Sequence, residues 1–160
     1  MNKTIIQADY HNSQHAEHIV FLMDAYACDV MGGGTPLSDS VKQNLVPEMA
    51  RRPQLFSFLC YVDDQPAGLV NCVEGFSTFS AKPLLNIHDV IVLDDFRGQG
   101  ISQMLLQQVE DKAKSLGCCK VTLEVLEGNH IAQQSYHKFG FAGYELDPNM
   151  GKAMFWQKAL

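Results

Sequence analysis

The stretch FRGQGISQMLL, residues 96–106, sets Gly98 and Gly100 between a strand-like run and a helix-like run. Upstream, LLNIHDVIVL (84–93) is almost continuously apolar, as expected of a central strand buried on both faces. Downstream, Ile101, Leu105, Val109, Ala113 and Leu116 recur at helical spacing up to Gly117. A strand, a glycine-rich turn and a helix bring consecutive N–H groups and a helix dipole together, an arrangement that favours an anion. No Gly-Lys-Ser/Thr follows, so the loop is not a nucleotide P-loop, and Gln103 stands where a dinucleotide fingerprint needs a third glycine. Spacing alone leaves two readings open, a phosphate cradle or a tight turn needing positive φ.

The rest of the chain reads outward from this unit. KTIIQAD is a first strand, and Ala16, Ile19, Val20, Met23 and Ala27 mark a helix over about residues 14–28. MGGGTPLSDSV breaks the chain as a flexible loop, after which Ser38 or Asp39 caps a helix through SVKQNLVPEMA. LFSFLCYVDD and QPAGLVNCVEGF form a hairpin around Asp-Asp-Gln-Pro. KVTLEVLE is the strand after the Ile101 helix, NHIAQQSYHKFGF is a helix between an Asn cap and Gly140, and MFWQKAL supplies a last strand. The order β-α-α-β-β-β-α-β-α-β predicts an α/β layered fold with a parallel, right-handed β-α-β crossover around Ile101.

Two segments together are more specific than either alone. Arg97-x-x-Gly100-x-Ser102 resembles the Q/R-x-x-G-x-G/A signature of the GCN5-related N-acetyltransferases, the GNAT family. Asn129, Ala132, Tyr136, Gly140 and Phe141 resemble that family's N-x-x-A-x-x-x-Y-x-x-x-G-F element. Ser102 departs from the signature's Gly or Ala, but it is small and caps helices well. The resemblance implies a single domain over residues 1–160, with a mixed central sheet whose fourth and fifth strands splay apart, flanked by helices. It implies acetyl-CoA as cosubstrate and no metal. The backbone of Val90, Ile91 and Val92 would pair with the pantetheine arm. The N–H groups of Arg97, Gly98, Gln99, Gly100, Ile101 and Ser102 would hold the pyrophosphate. Asn129 would cap its helix and touch the cofactor.

The implied chemistry is acetyl transfer to a primary amine, by direct attack in a ternary complex. An alkylamine, with a pKa near 10, must lose a proton before attacking, and the departing thiolate is best protonated. Tyr136 sits where the family keeps a tyrosine aimed at the CoA sulfur, which makes it the candidate general acid. Three residues compete as base. His88 and Asp89 lie where some small-amine acetyltransferases of the family carry paired acids, and Glu124 lies on the neighbouring strand. Neighbours on a regular strand face opposite ways, so only one of His88 and Asp89 would meet the cleft unless a bulge intervenes. Histidine suits base work near neutral pH, whereas Asp89 suits a cationic substrate or a bound water. The Ile91 backbone N–H would stabilise the oxyanion. The same motifs also serve acetyltransferases of protein N-termini or lysines, and CoA-binding sensors without turnover.

Composition narrows the partners. The 160 residues carry a net charge of -6, and a pI near 5.4 argues against nucleic acid or an anionic membrane. No apolar run reaches the roughly 20 residues of a spanning helix, and MNKTIIQADYHNSQ lacks a signal-peptide core, so a cytoplasmic protein is expected. The five cysteines include an adjacent pair, Cys118 and Cys119, and read as reduced thiols. His11, His15 and His18 read as a solvated face rather than a metal site. Asp29 and Asp39, in or beside the glycine-rich loop, suit a cationic small-molecule amine but serve equally as turn and cap residues. Phe76, Phe79 and Pro83 would wall the same pocket or pack the sheet edge. Phe155 and Trp156 on an exposed last strand admit a homodimer.

Overall fold

A computed structural model describes residues 1–160, in two compact units, Met1–Leu123 and Glu124–Leu160. In the first, the order is β1 (Lys3–Gln7), α1 (Ser13–Cys28), α2 (Asp39–Ala50), β2 (Leu55–Val62), β3 (Gln65–Ser77), β4 (Lys82–Val92), α3 (Ile101–Ser115) and β5 (Val121–Leu123). The strands form one sheet in the order β1-β2-β3-β4-β5. The first four are antiparallel to their neighbours, and β5 runs parallel to β4. That parallel step requires a crossover, which α3 provides.

Local chemistry places the elements. The Asn12 side chain accepts from the N–H groups of Gln14 and His15 at the start of α1, and Ser38 caps α2 by accepting from Val41 N–H. Between β2 and β3, Asp63 and Asp64 both hold positive φ, 47° and 65°, as a two-residue hairpin loop matched to strand twist requires. The MGGGTPLSD connection, expected to be flexible, is instead bonded down. Val30–Gly32 make a 3-10 turn capped by Asp29, Thr35 N–H donates to Ala27 O, and Leu37 N–H donates to Asp24.

The sheet is covered on both faces. On one, Ile19 and Leu22 of α1 and Val46 and Met49 of α2 pack on Leu59, Leu69 and Ile91; each such side chain contributes about 1.5–3 kcal/mol on burial. On the other lies α3, burying Ile101, Leu105, Leu106, Val109 and Ala113. There α3 sits so close to Gly68 that a Cβ would stand 3.0 Å from Ile101 Cγ2 and 3.2 Å from Leu105 Cδ1. No helix is long and apolar enough to cross a membrane.

The second unit holds α4 (His130–Phe139), with Asn129 accepting from Ala132 N–H at one end and Gly140 at φ 115° at the other. Two expectations are corrected. The KVTLEVLE strand is only three residues long, Val121–Leu123, because the β4–β5 ladder ends at Ile87. MFWQKAL forms no strand. The nearest pairing is an isolated Glu145–Lys152 bridge, and Met154, Phe155 and Trp156 are exposed. Three consecutive apolar residues lack the period of two that a one-sided strand needs.

Two outcomes follow from this packing. Gly68→Val should drive branched carbons into α3 and lower stability by about 1–3 kcal/mol, read by urea denaturation. Cys60 and Cys72 are buried whereas Cys28 and Cys119 are exposed, and burial pushes the Cys72 thiol up to about 12. A chromogenic thiol reagent at pH 8 should therefore modify Cys28 and Cys119 in the folded protein, and Cys60 and Cys72 only after unfolding.

Candidate functional site

The β3–β4 ladder carries one irregularity, and it falls on the predicted site. Asn71 pairs with Asp89 and the next residue, Cys72, pairs with Ile87, so His88 is an extra residue with no cross-strand partner. On an unbroken strand Asp89 would share the face of Ile87. The inserted residue shifts the phase, so Asp89 joins Ile91, Asn71 and Leu69 on the α1/α2 face, while Ile87 and Leu85 stay with Cys72 on the α3 face. The Asn71 amide Nδ2 donates to Asp89 Oδ2 at 3.1 Å and to the Met23 thioether of α1 at 3.3 Å. His88 is exposed and Asp89 half-buried.

Tyr26 stands near the end of α1. Burial, and then the charges of Asp89 and Asp29, raise its phenol above the ordinary tyrosine pKa. Asp29 also meets Arg97, whose guanidinium bonds Asp29 at 3.4 Å and Asp94 at 2.9 Å. Arg97 Nε donates to Val92 O at 3.2 Å. One arginine thus ties the α1–α2 connection to the end of β4.

Past Ile87, β4 continues to Val92 without β5. Main-chain direction along this edge follows from one bond: Leu93 N–H, just past β4, donates to Ala67 O of β3. Residues two apart in an antiparallel ladder turn their polar groups to the same neighbour. Ile91 therefore directs N–H and C=O to β3, consistent with its carbonyl lying against Gly68, whereas Val90 and Val92 direct theirs to the open edge. This corrects the expectation for Ile91, whose N–H belongs to the β3 ladder and is not the amide the edge presents.

The edge runs into the glycine loop. Gly98 and Gly100 hold φ of 75° and 80°, and an added Cβ at either would meet nothing within 4 Å. Conformation, not crowding, calls for glycine there, and the space over both is open. Gly100 is also the residue at the N-terminus of α3, where it offers no side-chain cap. Lys3 of β1 pins the loop by donating to Gln99 O at 2.6 Å.

The structure thus gathers His88, Asp89, Val90, Val92 and Arg97 through Ser102 along one strand end and loop in the first unit. In the second unit, Glu124 is exposed, Asn129 caps α4, and Tyr136 stands edge-on to Phe141 at 6.0 Å between ring centroids. The three N-terminal histidines do not converge. His15 Nδ1 accepts from Asp9 N–H and His18 Nδ1 bonds the Tyr61 hydroxyl, so that face is not simply solvated. No group of three or more His, Cys, Asp or Glu side chains is arranged to hold a metal ion. Phe76 and Phe79 are exposed at the β3–β4 turn rather than packed. Sequence reasoning missed Tyr26, Asn71 and Ser57. A lone polar residue inside an apolar run, as in GLVNCV and LFSFLCYV, was the available signal.

Comparison with known proteins adds the family. The model of the acetyltransferase (GNAT) family matches residues 20–141. An uncharacterised N-acetyltransferase of Methanocaldococcus jannaschii is 33% identical over 90 residues, covering 56% of this chain and 40% of its own. One from Bacillus subtilis is 34% identical over 56 residues, 35% of this chain and 36% of its own. The chain therefore spans less than half the length of these two relatives. An aminoglycoside N(6')-acetyltransferase of Acinetobacter genomosp. 13 is 27% identical over 66% of this chain and 75% of its own. Among solved structures, aminoglycoside acetyltransferase AAC(6')-Iy bound to a CoA bisubstrate analogue superposes with a TM-score of 0.78 at 21% identity, covering 100% of both chains. At that identity the likeness establishes the fold.

Alanine at Gly98 or Gly100 would be strained by its positive φ, so each variant should lose about 1 kcal/mol of stability. Thermal denaturation against the unaltered chain measures this.

Proposed function

The chain belongs to the acetyltransferase (GNAT) family, and from that premise we propose that it transfers the acetyl group of acetyl-CoA to a small primary amine, by direct attack within a ternary complex. The observation that carries this reading is the β4 edge. Val90, and the N–H of Val92, whose carbonyl already accepts from Arg97, face the edge after β5 has left the ladder, and that edge leads straight into a loop whose two left-handed glycines leave room above them. An extended amide-bearing arm ending in a pyrophosphate has the complementary shape and charge. The buried Gln99 Oε1, which has no hydrogen-bond partner, is a further acceptor such a ligand can satisfy.

In this reading residues 1–160 act as one acetyltransferase domain. The N–H groups from Gly98 to Ser102 hold the pyrophosphate, without the expected N–H of Arg97, which donates to Asp94 O, and Val90 and Val92 pair with the pantetheine amides. The Val90 N–H takes over the oxyanion role expected of Ile91. Asp89, whose charge together with that of Asp29 acts on Tyr26, receives the acceptor as an ammonium ion. His88, exposed on the bulge, takes the proton before attack, with Glu124 the alternative base. Tyr136 protonates the departing thiolate, the role its family motif implies. The relatives and structural neighbours named for aminoglycosides support an acceptor that is small and cationic.

The test is release of free thiol from acetyl-CoA with a panel of polyamines, aminoglycosides and peptides, and without acceptor. Release that depends on a small cationic amine is the expected result; binding of CoA with no release under any acceptor would instead indicate a sensor. Tyr136→Phe should fold normally and lower kcat about a hundredfold, whereas undiminished turnover would remove Tyr136 from the mechanism.

A further inference from the structure

The core buries two polar side chains, Ser57 at 1% exposure and Asn71 at 8%, and they are bonded to each other. Ser57 Oγ lies 2.6 Å from Asn71 Oδ1. An amide oxygen only accepts, so the serine hydroxyl donates. With its proton committed, Ser57 Oγ accepts from the Tyr10 hydroxyl 2.8 Å away. Burial raises the Tyr10 phenol above its ordinary pKa, which keeps that donor protonated. Asn71 Nδ2 then donates to Asp89 Oδ2 at 3.1 Å. Every donor in the line points the same way, from the β1–α1 connection through β2 and β3 to one carboxylate on β4.

The line fixes an orientation. With the amide turned over, Asn71 would set an oxygen against the Asp89 carboxylate, but Ser57, locked by Tyr10, holds Oδ1 and forbids the turn. One Asp89 oxygen is thereby clamped by Asn71, and the other is left for a ligand on the α1/α2 face that Asp89 shares with Asn71 and Ile91.

We propose that Asn71, held by Ser57 and Tyr10, is the positioning residue that aims the Asp89 carboxylate at the ammonium group of the acceptor amine. The proposal rests on the function given above and deepens it by naming what sets acceptor affinity. The clamp acts on the acceptor side alone. Losing Asn71 costs amine recognition only through Asp89, and leaves acetyl-CoA recognition as it was.

A double-mutant cycle tests this. Initial rates for the best amine of the panel are measured for the unaltered protein, Asn71→Ala, Asp89→Ala and the double variant, with melting temperatures alongside. Asn71→Ala should raise KM for the amine about tenfold, leave KM for acetyl-CoA unchanged, and cause no further loss in the Asp89→Ala background. Ser57→Ala, a smaller change inside the core, should move the amine KM in the same direction to a lesser degree, and runs the same cycle if Asn71→Ala does not fold. Equal losses in both backgrounds, or a rise in KM for acetyl-CoA, would overturn the positioning role while leaving the function standing. An unaltered protein that turns over no amine overturns the function and this proposal together.

Discussion

A single extra residue in β4 decides which way the residues on either side of it face. Because side chains alternate along a strand, inserting His88 opposite nothing reverses the facing of every residue on one side of it relative to the other. Leu85 and Ile87 are thereby given to the layer under α3, while Asp89 and Ile91 face α1 and α2. Without that insertion the carboxylate of Asp89 would press into the apolar contact with α3, where an ion has no partner. With it, Asp89 meets the amide of Asn71, and the same strand serves a closed core on one stretch and a polar site on the next. The β4–β5 ladder also stops at Ile87, the residue just before the insertion. One irregularity thus coincides with both a re-aimed side chain and an open main-chain edge.

The glycine loop depends on a second close constraint. For α3 to return across the sheet it must leave β4 by a sharp turn, made by two residues at positive φ, and then lie against Gly68 with no side chain between. Arg97, at the start of the loop, and Lys3 of β1 hold the turn by bonding Val92 O and Gln99 O. Neither bond covers Gly98 or Gly100, and the open space above those two residues is available to an anion. The proposed donor site is built almost wholly of main chain, and the proposed acceptor site almost wholly of side chains.

Much of this was legible in the chain itself. The helical spacing of Ile101 to Ala113 and of Ile19 to Ala27, the caps at Ser38 and Asn129, and the Asp63–Asp64 turn are local signals, and each element forms where those signals put it. Where a local pattern needed a distant partner, reading failed. KVTLEVLE has the alternation of a full strand but finds only three residues of β4 to pair with, and MFWQKAL finds no ladder at all. The polar line from Tyr10 to Asp89 was invisible for the same reason, since its four members lie far apart in sequence and meet only through the strand register.

The sequence by itself determined the family and the loop, because the spacing of Arg97, Gly100 and Ser102, and of Asn129, Tyr136 and Gly140, is a local property of φ preferences, caps and helix starts. Tertiary structure alone decided which way Asp89 faces and which amides of Val90, Ile91 and Val92 stay open. Both depend on register against β3, and register is set by how whole strands pair and pack, a constraint that no short stretch of residues carries.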